Sequence, residues 1–251
     1  MPNPILKQAV VIGAGIGGLA AAKAVAPHFE KVIVFERDAL PDAPAPRLGT
    51  PQARHTHVLL AGGCRALDRL FPGIELDFIA AGAVRTRMRR EVRFEIPGFD
   101  PFPQRDLGFD QFLLSRPALE LVCRRRVERE PNIEFKPRSR VTELVASPDS
   151  SSAAGVRFED TRGTLGSVAA DLVVDASGRA SPTLGFLEAI GSSKPAAIEI
   201  GIDQAYATAV FETPDDAPTD WLGVLHQRRR AAAAGGSLCP WRDHDGAFRF
   251  A

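Results

Sequence analysis

The stretch VVIGAGIGGLAAAKAV, residues 10–25, constrains the fold of this chain more than any other. Residues 9–12 are apolar and rich in β-branched side chains without polar alternation, the pattern of a short, fully buried strand. Gly13, Gly15 and Gly18 follow in G-x-G-x-x-G spacing, with Gly17 beside the last of them. The glycines of that spacing serve a tight turn, close approach of backbone to a pyrophosphate, and close packing of helix on strand. Residues 19–25 are Ala-rich with no breaker, which predicts the helix whose N-terminus faces the phosphates. Unpaired N–H groups and the helix dipole make such an end an anion site. A second buried strand, KVIVFER, carries Glu36 at its end, 23 positions after Gly13. An acidic residue at that distance accepts hydrogen bonds from a ribose diol. Strand, glycines, helix and acid together imply dinucleotide binding and argue against a plain glycine turn. They do not separate FAD from NAD. Glu36 disfavours a 2′-phosphate at this ribose, and adjacent Arg37 keeps that point open.

At 251 residues the chain is long enough for one large domain or two modest ones. A net charge of zero supplies no global field toward nucleic acid or a membrane surface. Only five of the 31 basic residues are lysine, so a lone arginine is weak evidence for a site here. Cys64, Cys123 and Cys239 are far apart and odd in number, with no C-x-x-C, which argues against a disulfide framework or a zinc ribbon. The first strand starts close to the N-terminus without a signal peptide, and no apolar run is long enough to span a bilayer. A soluble cytoplasmic protein without stable membrane insertion is the expectation.

Further along, DALPDAPAPRLGTPQARHTH reads as a Pro-rich loop. VLLAGGCRALDRLF has helical apolar spacing that stops at Pro72-Gly73. Residues 84–96 read as a strand region and DPFPQRD as loop. Ser115 is the expected N-cap of a helix running through Arg129, with Pro117 tolerated in its first turn and Pro131 ending it. From 133 to 175 the sequence predicts a β-meander of IEFK, RVTELVA, AGVRFED and GTLGSVAADLVVDAS, the last strand rejoining the parallel sheet. PDSSSAAG reads as a hairpin loop. A short helix over 184–190 and an alternating strand pattern, AIEIGIDQAYATAVFE, follow.

The glycine loop, Glu36-Arg37, RLGTPQARHTHVLLAGG, the helix start Ser115-Arg116-Pro117-Ala118-Leu119-Glu120 and DLVVDASGRAS occur in this order. Together they resemble the FAD-dependent monooxygenases and epoxidases of the aromatic-hydroxylase type, in particular a squalene-epoxidase-like bacterial branch. The resemblance covers residues 7–240. It implies an α/β fold: a three-layer Rossmann-like FAD-binding domain with a β-meander and an interleaved, incomplete substrate-binding β-sheet. The expected division is 1–190 for the FAD domain, with 80–112 contributing to the substrate region, and 191–251 for the partial substrate sheet and tail. By the same resemblance, Gly13, Gly15, Gly17 and Gly18 cradle the FAD pyrophosphate and Glu36 and Arg37 lie at the adenosine ribose. Arg47 and Arg116 contact ribityl and phosphate groups, where guanidinium forks suit phosphate oxygens. Asp175 and Gly178 belong to the Asp-Ala-Ser-Gly variant of the family's strand-end motif. The implied activity is hydroxylation or epoxidation of a small organic substrate through a flavin hydroperoxide, with NAD(P)H as electron donor, bound transiently or acting through a separate reductase.

Other features have plainer readings. His55 and His57, at i and i+2 of a strand, are a poor metal site without a third ligand, and no metal is expected. RTRMRREVR puts Arg85, Arg87 and Arg89 on one strand face; without interleaved aromatics, a solvated face is expected rather than a nucleic-acid patch. RRR at 228–230 reads as loop. The catalytic residues and the substrate are not legible.

Members of the family carry a third FAD segment, a Gly-Asp dipeptide at a strand end before a long helix. This chain contains no Gly-Asp; after GGSLCP it continues as WRDHDGAFRFA. The expectation is the N-terminal portion of a longer enzyme, with exposed strand edges and a tendency to aggregate. The alternative functions are an inactive FAD-binding fragment, or another flavoenzyme such as a halogenase or a prenyl reductase.

Overall fold

In the computed structural model, residues 6–180, 182–203, 205–209, 211–212, 222–226, 237–238, 240–242 and 248–250 are described. The chain opens with β1 (Leu6–Ile12), α1 (Ile16–Val25) and β2 (Phe29–Glu36), then β3 (Val58–Leu59), α2 (Ala61–Leu70) and α3 (Ile74–Ala80). Strands β4 (Val84–Arg87), β5 (Val92–Glu95) and β6 (Asp110–Leu113) lead to α4 (Arg116–Val127). Next come β7 (Ile133–Pro137), β8 (Ser139–Ala146), β9 (Ala153–Asp160), β10 (Leu165–Ala169), β11 (Leu172–Asp175) and α5 (Thr183–Ala189). The last strands are β12 (Phe211–Glu212), β13 (Gly223–His226), β14 (Ser237–Leu238), β15 (Pro240–Arg242) and β16 (Phe248–Phe250). Two compact units form: one from residues 1–51 and 123–204, the other from 52–122 and 205–251.

The first unit is built on a parallel sheet of order β11-β1-β2-β7. Register runs Val10 with Ile33 and Val173, and Ile12 with Phe35 and Asp175, so Glu36 and Asp175 close neighbouring strand ends around the Gly13 turn. β1 and β2 are buried on both faces, which is why they read as continuous apolar runs. Val10, Ile12, Ile33 and Phe35 pack with Leu144, Val156 and Ala170 of the meander side. The alternate residues, Ala9, Val11, Val32 and Val34, are fully buried as well. α1 packs on β1 and β2 through Gly18, Leu19 and Ala22.

IEFK does not belong to the meander as expected. It is β7, which pairs in parallel with β2 from Val32↔Ile133 onward. The reason lies one residue earlier: the Asn132 side-chain amide donates to the carbonyls of Ala26 and Phe29, each at 2.8 Å, pinning the start of β7 beside the start of β2. The antiparallel meander is β8-β9-β10 alone. GTLGSVAADLVVDAS splits at Ala170-Asp171, and β11 pairs with β1 in the parallel sheet, as the sequence predicts. The Pro-rich loop is fastened to α4: Arg124 donates to the carbonyl of Pro41 and Arg125 to that of Asp42.

The alternating pattern at 197–212 does not give the expected strand. Residues 192–203 take no regular structure, and Ile198, Ile200 and Ile202 are 90%, 84% and 75% exposed. Alternation specifies a strand only where an edge is available to pair with it, and among the described residues of this stretch only β12 finds one, against β16.

In the second unit, α2 and α3 bury Cys64, Leu67, Ile74 and Phe78. Phe78 meets Phe112 of β6 at 5.7 Å between ring centroids. β6 pairs antiparallel with both β3 and β4, and β5 pairs in parallel with β13. Arg89 is not on the strand face with Arg85 and Arg87. It sits in the turn between β4 and β5 at φ 68°, its guanidinium between the Phe94 and Phe102 rings. Arg85 and Arg87 face Asp110, and Arg87 also pairs with Asp106. The Gly108 N–H, followed by Arg87, holds Asp106 below the usual carboxylate range. The basic stretch is thus matched by acids of its own unit. Cys239, the 228–230 arginines and parts of GGSLCP and WRDHDGAFRFA lie outside the described residues.

Candidate functional site

The sequence signals of the first unit converge on the C-terminal ends of β1, β2 and β11. Gly13 turns there at φ +97°, its N–H donating to the Phe35 carbonyl at 2.7 Å. A Cβ at Gly13 would stand 2.6 Å from the carbonyl oxygen of Ala176, and one at Gly18 only 1.8 Å from the carbonyl oxygen of Gly13. Those two positions are closed by backbone. Gly15 and Gly17 are different: a Cβ on either would meet nothing within 4 Å. Gly15 is the N-cap of α1, without a side-chain cap, and the first turn of the helix carries no acidic side chain. The orphan N–H groups of this helix start therefore meet no carboxylate of their own turn.

Glu36 is buried at the end of β2. Its Oε2 accepts from the Ala14 N–H at 2.9 Å, inside the glycine loop, and its Oε1 accepts from the Asp38 N–H at 2.9 Å. Arg47, with a side chain only 5% exposed, brings Nη1 to 3.1 Å from Glu36 Oε2 and 3.3 Å from Asp38 Oδ2. Asp38 Oδ2 also accepts from the Gly49 N–H at 2.8 Å. One guanidinium nitrogen thus ties the loop after β2 to the acid that holds the glycine loop. Arg37 is exposed beside it, its Nη2 3.4 Å from where a Gly49 Cβ would stand.

Asp175 ends β11, and its carboxylate is engaged within its own turn. Oδ1 accepts from the N–H and hydroxyl of Ser177, at 3.1 and 2.6 Å; Oδ2 accepts from the N–H and hydroxyl of Thr183, at 3.3 and 2.6 Å. The Ala176 N–H donates to the Ile12 carbonyl at 2.9 Å, so this turn is the floor under Gly13. Gly178 follows at φ +78°, with open space on its Cβ side.

Arg116 lies in the second unit, at the start of α4, where Ser115 Oγ caps the helix by accepting from the Ala118 N–H at 3.2 Å. Its Nη1 is 3.6 Å from Glu120 Oε2, one turn along. The histidines of HTH are not on a strand. They follow a short 3₁₀ turn, His55 Nδ1 lying 2.9 Å from Thr208 Oγ1 and His57 Nδ1 2.8 Å from the His55 carbonyl. Among the described residues no group of three or more His, Cys, Asp or Glu side chains could hold a metal ion. No helix among them is long and apolar enough to cross a membrane.

Known proteins share this architecture. The crystal structure of PqsL, a probable FAD-dependent monooxygenase from Pseudomonas aeruginosa, matches 98% of this chain with a TM-score of 0.62 at 16% identity. This is the fold of the FAD-dependent monooxygenases. The same flavoenzyme fold is matched in p-nitrophenol 4-monooxygenase PnpA from Pseudomonas putida DLL-E4, with a TM-score of 0.62, 17% identity and 98% of this chain. The myxobacterial chondrochloren halogenase CndH, a variant of the FAD-dependent halogenases, also shares it, with a TM-score of 0.63, 19% identity and 98% of this chain. The matched regions make up 59%, 57% and 52% of those three proteins. In sequence the chain is 35% identical over 242 residues to Protein Rv3254 of Mycobacterium tuberculosis (strain ATCC 25618 / H37Rv), covering 92% of this chain. It spans about half the length of that curated relative, 50%. No family model matches it.

The sequence singles out Glu36, Arg47 and the glycines but not Asp38 or Thr183. Asp38 could have been found from its position two residues after Glu36, on the same side of an extended chain. Thr183 has no such local signal, because its contact with Asp175 bridges a turn of eight residues.

Proposed function

We propose that the first unit holds the ADP half of FAD and that the protein works as an FAD-dependent monooxygenase on a small organic substrate. The observation that carries this reading is the contrast among the glycines. Gly13 and Gly18 are packed shut by backbone, whereas Gly15 and Gly17 leave open space at the uncapped start of α1. A side chain there would fill a cradle where a pyrophosphate fits, and no packing demand explains glycine at those two positions.

When bound, FAD supplies the redox and oxygen chemistry; the chain's residues hold and orient it. The N–H groups at the start of α1 donate to the pyrophosphate. Glu36, fixed by Ala14 and Asp38, offers its remaining lone pairs to the adenosine ribose hydroxyls. Arg47 acts through Glu36, and Asp175 through the turn beneath Gly13. Arg37 is exposed beside Glu36 and Gly178 follows the Asp175 turn, both in the unit that carries this site, whereas Arg116 belongs to the second unit. The chain spans about half of its curated relative, so the activity proposed is that of the whole protein. NAD(P)H, directly or through a separate reductase, is the reductant.

A second reading is a halogenase, favoured by the likeness to CndH, as close as that to the monooxygenases. The test loads the protein with FAD, supplies NADH or NADPH with and without a general flavin reductase, and presents a panel of phenols and aromatic amines under ¹⁸O₂. Substrate-dependent oxygen uptake with ¹⁸O in the product supports the monooxygenase. A product that carries halogen only when halide is present supports the halogenase. An FAD-loaded protein giving neither product contradicts both.

A further inference from the structure

The turn between β4 and β5 holds a positive charge that no described carboxylate neutralises. Its neighbours are all matched. Arg85 faces Asp110, Arg87 pairs with Asp106, Arg90 lies 4.0 Å from Asp106, and Arg93 lies 2.7 Å from Glu95. Arg89 is the exception: among the described residues no acid lies within ion-pair distance of it. Its guanidinium carbon is instead 4.2 Å from the Phe94 ring centroid and 3.9 Å from that of Phe102. Its Nη1 is buried from solvent and makes no hydrogen bond.

The backbone holds Arg89 in this position against its preference. At φ 68° it occupies the left-handed region, which a residue with a long side chain seldom adopts. The Arg105 N–H donates to the Arg89 carbonyl at 3.2 Å, and the Gln104 side-chain amide donates to the next carbonyl, that of Arg90, at 2.6 Å. A left-handed side-chain residue and a buried charged donor without an acceptor both cost stability. The attraction of the cation to the two rings offsets part of that cost, but it uses the faces of the guanidinium and leaves the N–H edge unmet.

The group that completes such an edge is an oxyanion, whose two oxygens match the guanidinium fork. With a ring on either side, Arg89 has no face left on which an aromatic ligand could stack. One guanidinium balances one negative charge, which favours a carboxylate over a doubly charged phosphate. Phe102, 45% exposed and carried on a segment without helix or strand, offers an apolar surface beside the edge. We propose that Arg89 binds the carboxylate of an apolar organic acid, the Phe102 ring turning outward to admit it to Nη1. Residues 89–105 all belong to the second unit, so binding here is independent of FAD at the glycine loop.

The test uses benzoate as the probe, with benzamide as its neutral counterpart and inorganic phosphate as the alternative anion, followed by heat of binding and thermal melts. The wild-type protein should bind benzoate one-to-one and melt at a higher temperature with it, bind phosphate more weakly, and ignore benzamide. Arg89→Gly suits the left-handed turn and removes the buried charge; it should melt no lower than the wild type and lose benzoate binding. Arg89→Lys keeps the charge without the fork and should bind benzoate about tenfold more weakly. Should Arg89→Gly lose its native circular dichroism, Arg89→Asn, which also tolerates the left-handed region, takes its place. A folded wild-type protein that binds no benzoate, or binds benzamide or phosphate as tightly, overturns the proposal. So does a folded Arg89→Gly or Arg89→Asn variant that keeps the wild-type affinity for benzoate.

Discussion

A Cβ on Gly18 would stand 1.8 Å from the carbonyl oxygen of Gly13, so α1 can approach β1 at its present height only if residue 18 has no side chain. Gly15, three residues earlier and at the mouth of the same loop, has no such neighbour. Packing requires the glycine at 18, whereas a bound pyrophosphate would require the one at 15.

The two should separate on substitution. Gly18→Ala forces backbone apart and should lower stability by at least about 2 kcal/mol. Gly15 has φ −73° and ψ 178°, open to any residue, so Gly15→Ala should change stability by no more than about 0.5 kcal/mol. It should nonetheless weaken FAD binding. Thermal melts with and without FAD check both halves.

Arg47 bridges the buried Glu36 and the partly buried Asp38, and its loss leaves the two carboxylates facing each other. Arg47→Ala should destabilise the protein by about 3 kcal/mol. Arg47→Lys should recover part of that, because an ammonium can bridge the pair as a point charge but cannot reproduce the guanidinium fork. Urea unfolding of the two variants measures the difference.

Burial, with a smaller contribution from Glu75, pushes the Cys64 thiol up to about 11. A thiol that keeps its proton in the folded state while the unfolded chain loses it near pH 9 contributes full stability below pH 9. That contribution falls as pH rises from about 9 through 11. Cys64 in the folded protein should therefore stay unlabelled by a thiol-alkylating reagent at pH 8 and react once the chain is unfolded in urea.

In the hairpin loop, the hydroxyls of Ser147 and Ser151 and the Ser151 N–H hold the Asp149 carboxyl down to about 2. Its folded value lies below the unfolded one, so the ordering it gives the loop is present above pH 4 and lost as pH falls toward 2. The protection factor of the Ser151 amide, whose N–H reaches Asp149 Oδ1 at 3.2 Å, should fall across that window and remain flat from pH 5 to 8.

The parts of the fold legible in the sequence are those set within a few residues. β1, the glycine turn, α1, β2 and Glu36 occupy one continuous stretch, and each residue's local preference agrees with its place. Ser115 capping α4 is legible for the same reason. What is not legible depends on partners far along the chain. IEFK has the composition of a meander strand, and only the Asn132 amide reaching Ala26 and Phe29 assigns it to the parallel sheet. Residues 197–203 alternate as a strand should but lack an edge among the described residues. α3 is seven residues long and begins after Pro72-Gly73, which reads as a stop. At the site itself, the glycine spacing announces phosphate binding, but nothing in a linear reading says that Arg47 turns inward to Glu36 and Asp38.

Whether the glycine loop holds FAD is decided most simply by titrating the purified chain with FAD, beside the Gly15→Ala variant, and following the visible flavin spectrum and the heat of binding. Saturable, one-to-one binding with perturbed flavin bands is expected, with weaker binding by a variant that melts at the same temperature. A wild-type chain that is folded and yet leaves the FAD spectrum unchanged, or a Gly15→Ala variant that binds FAD as tightly as the parent, would contradict FAD binding at this loop.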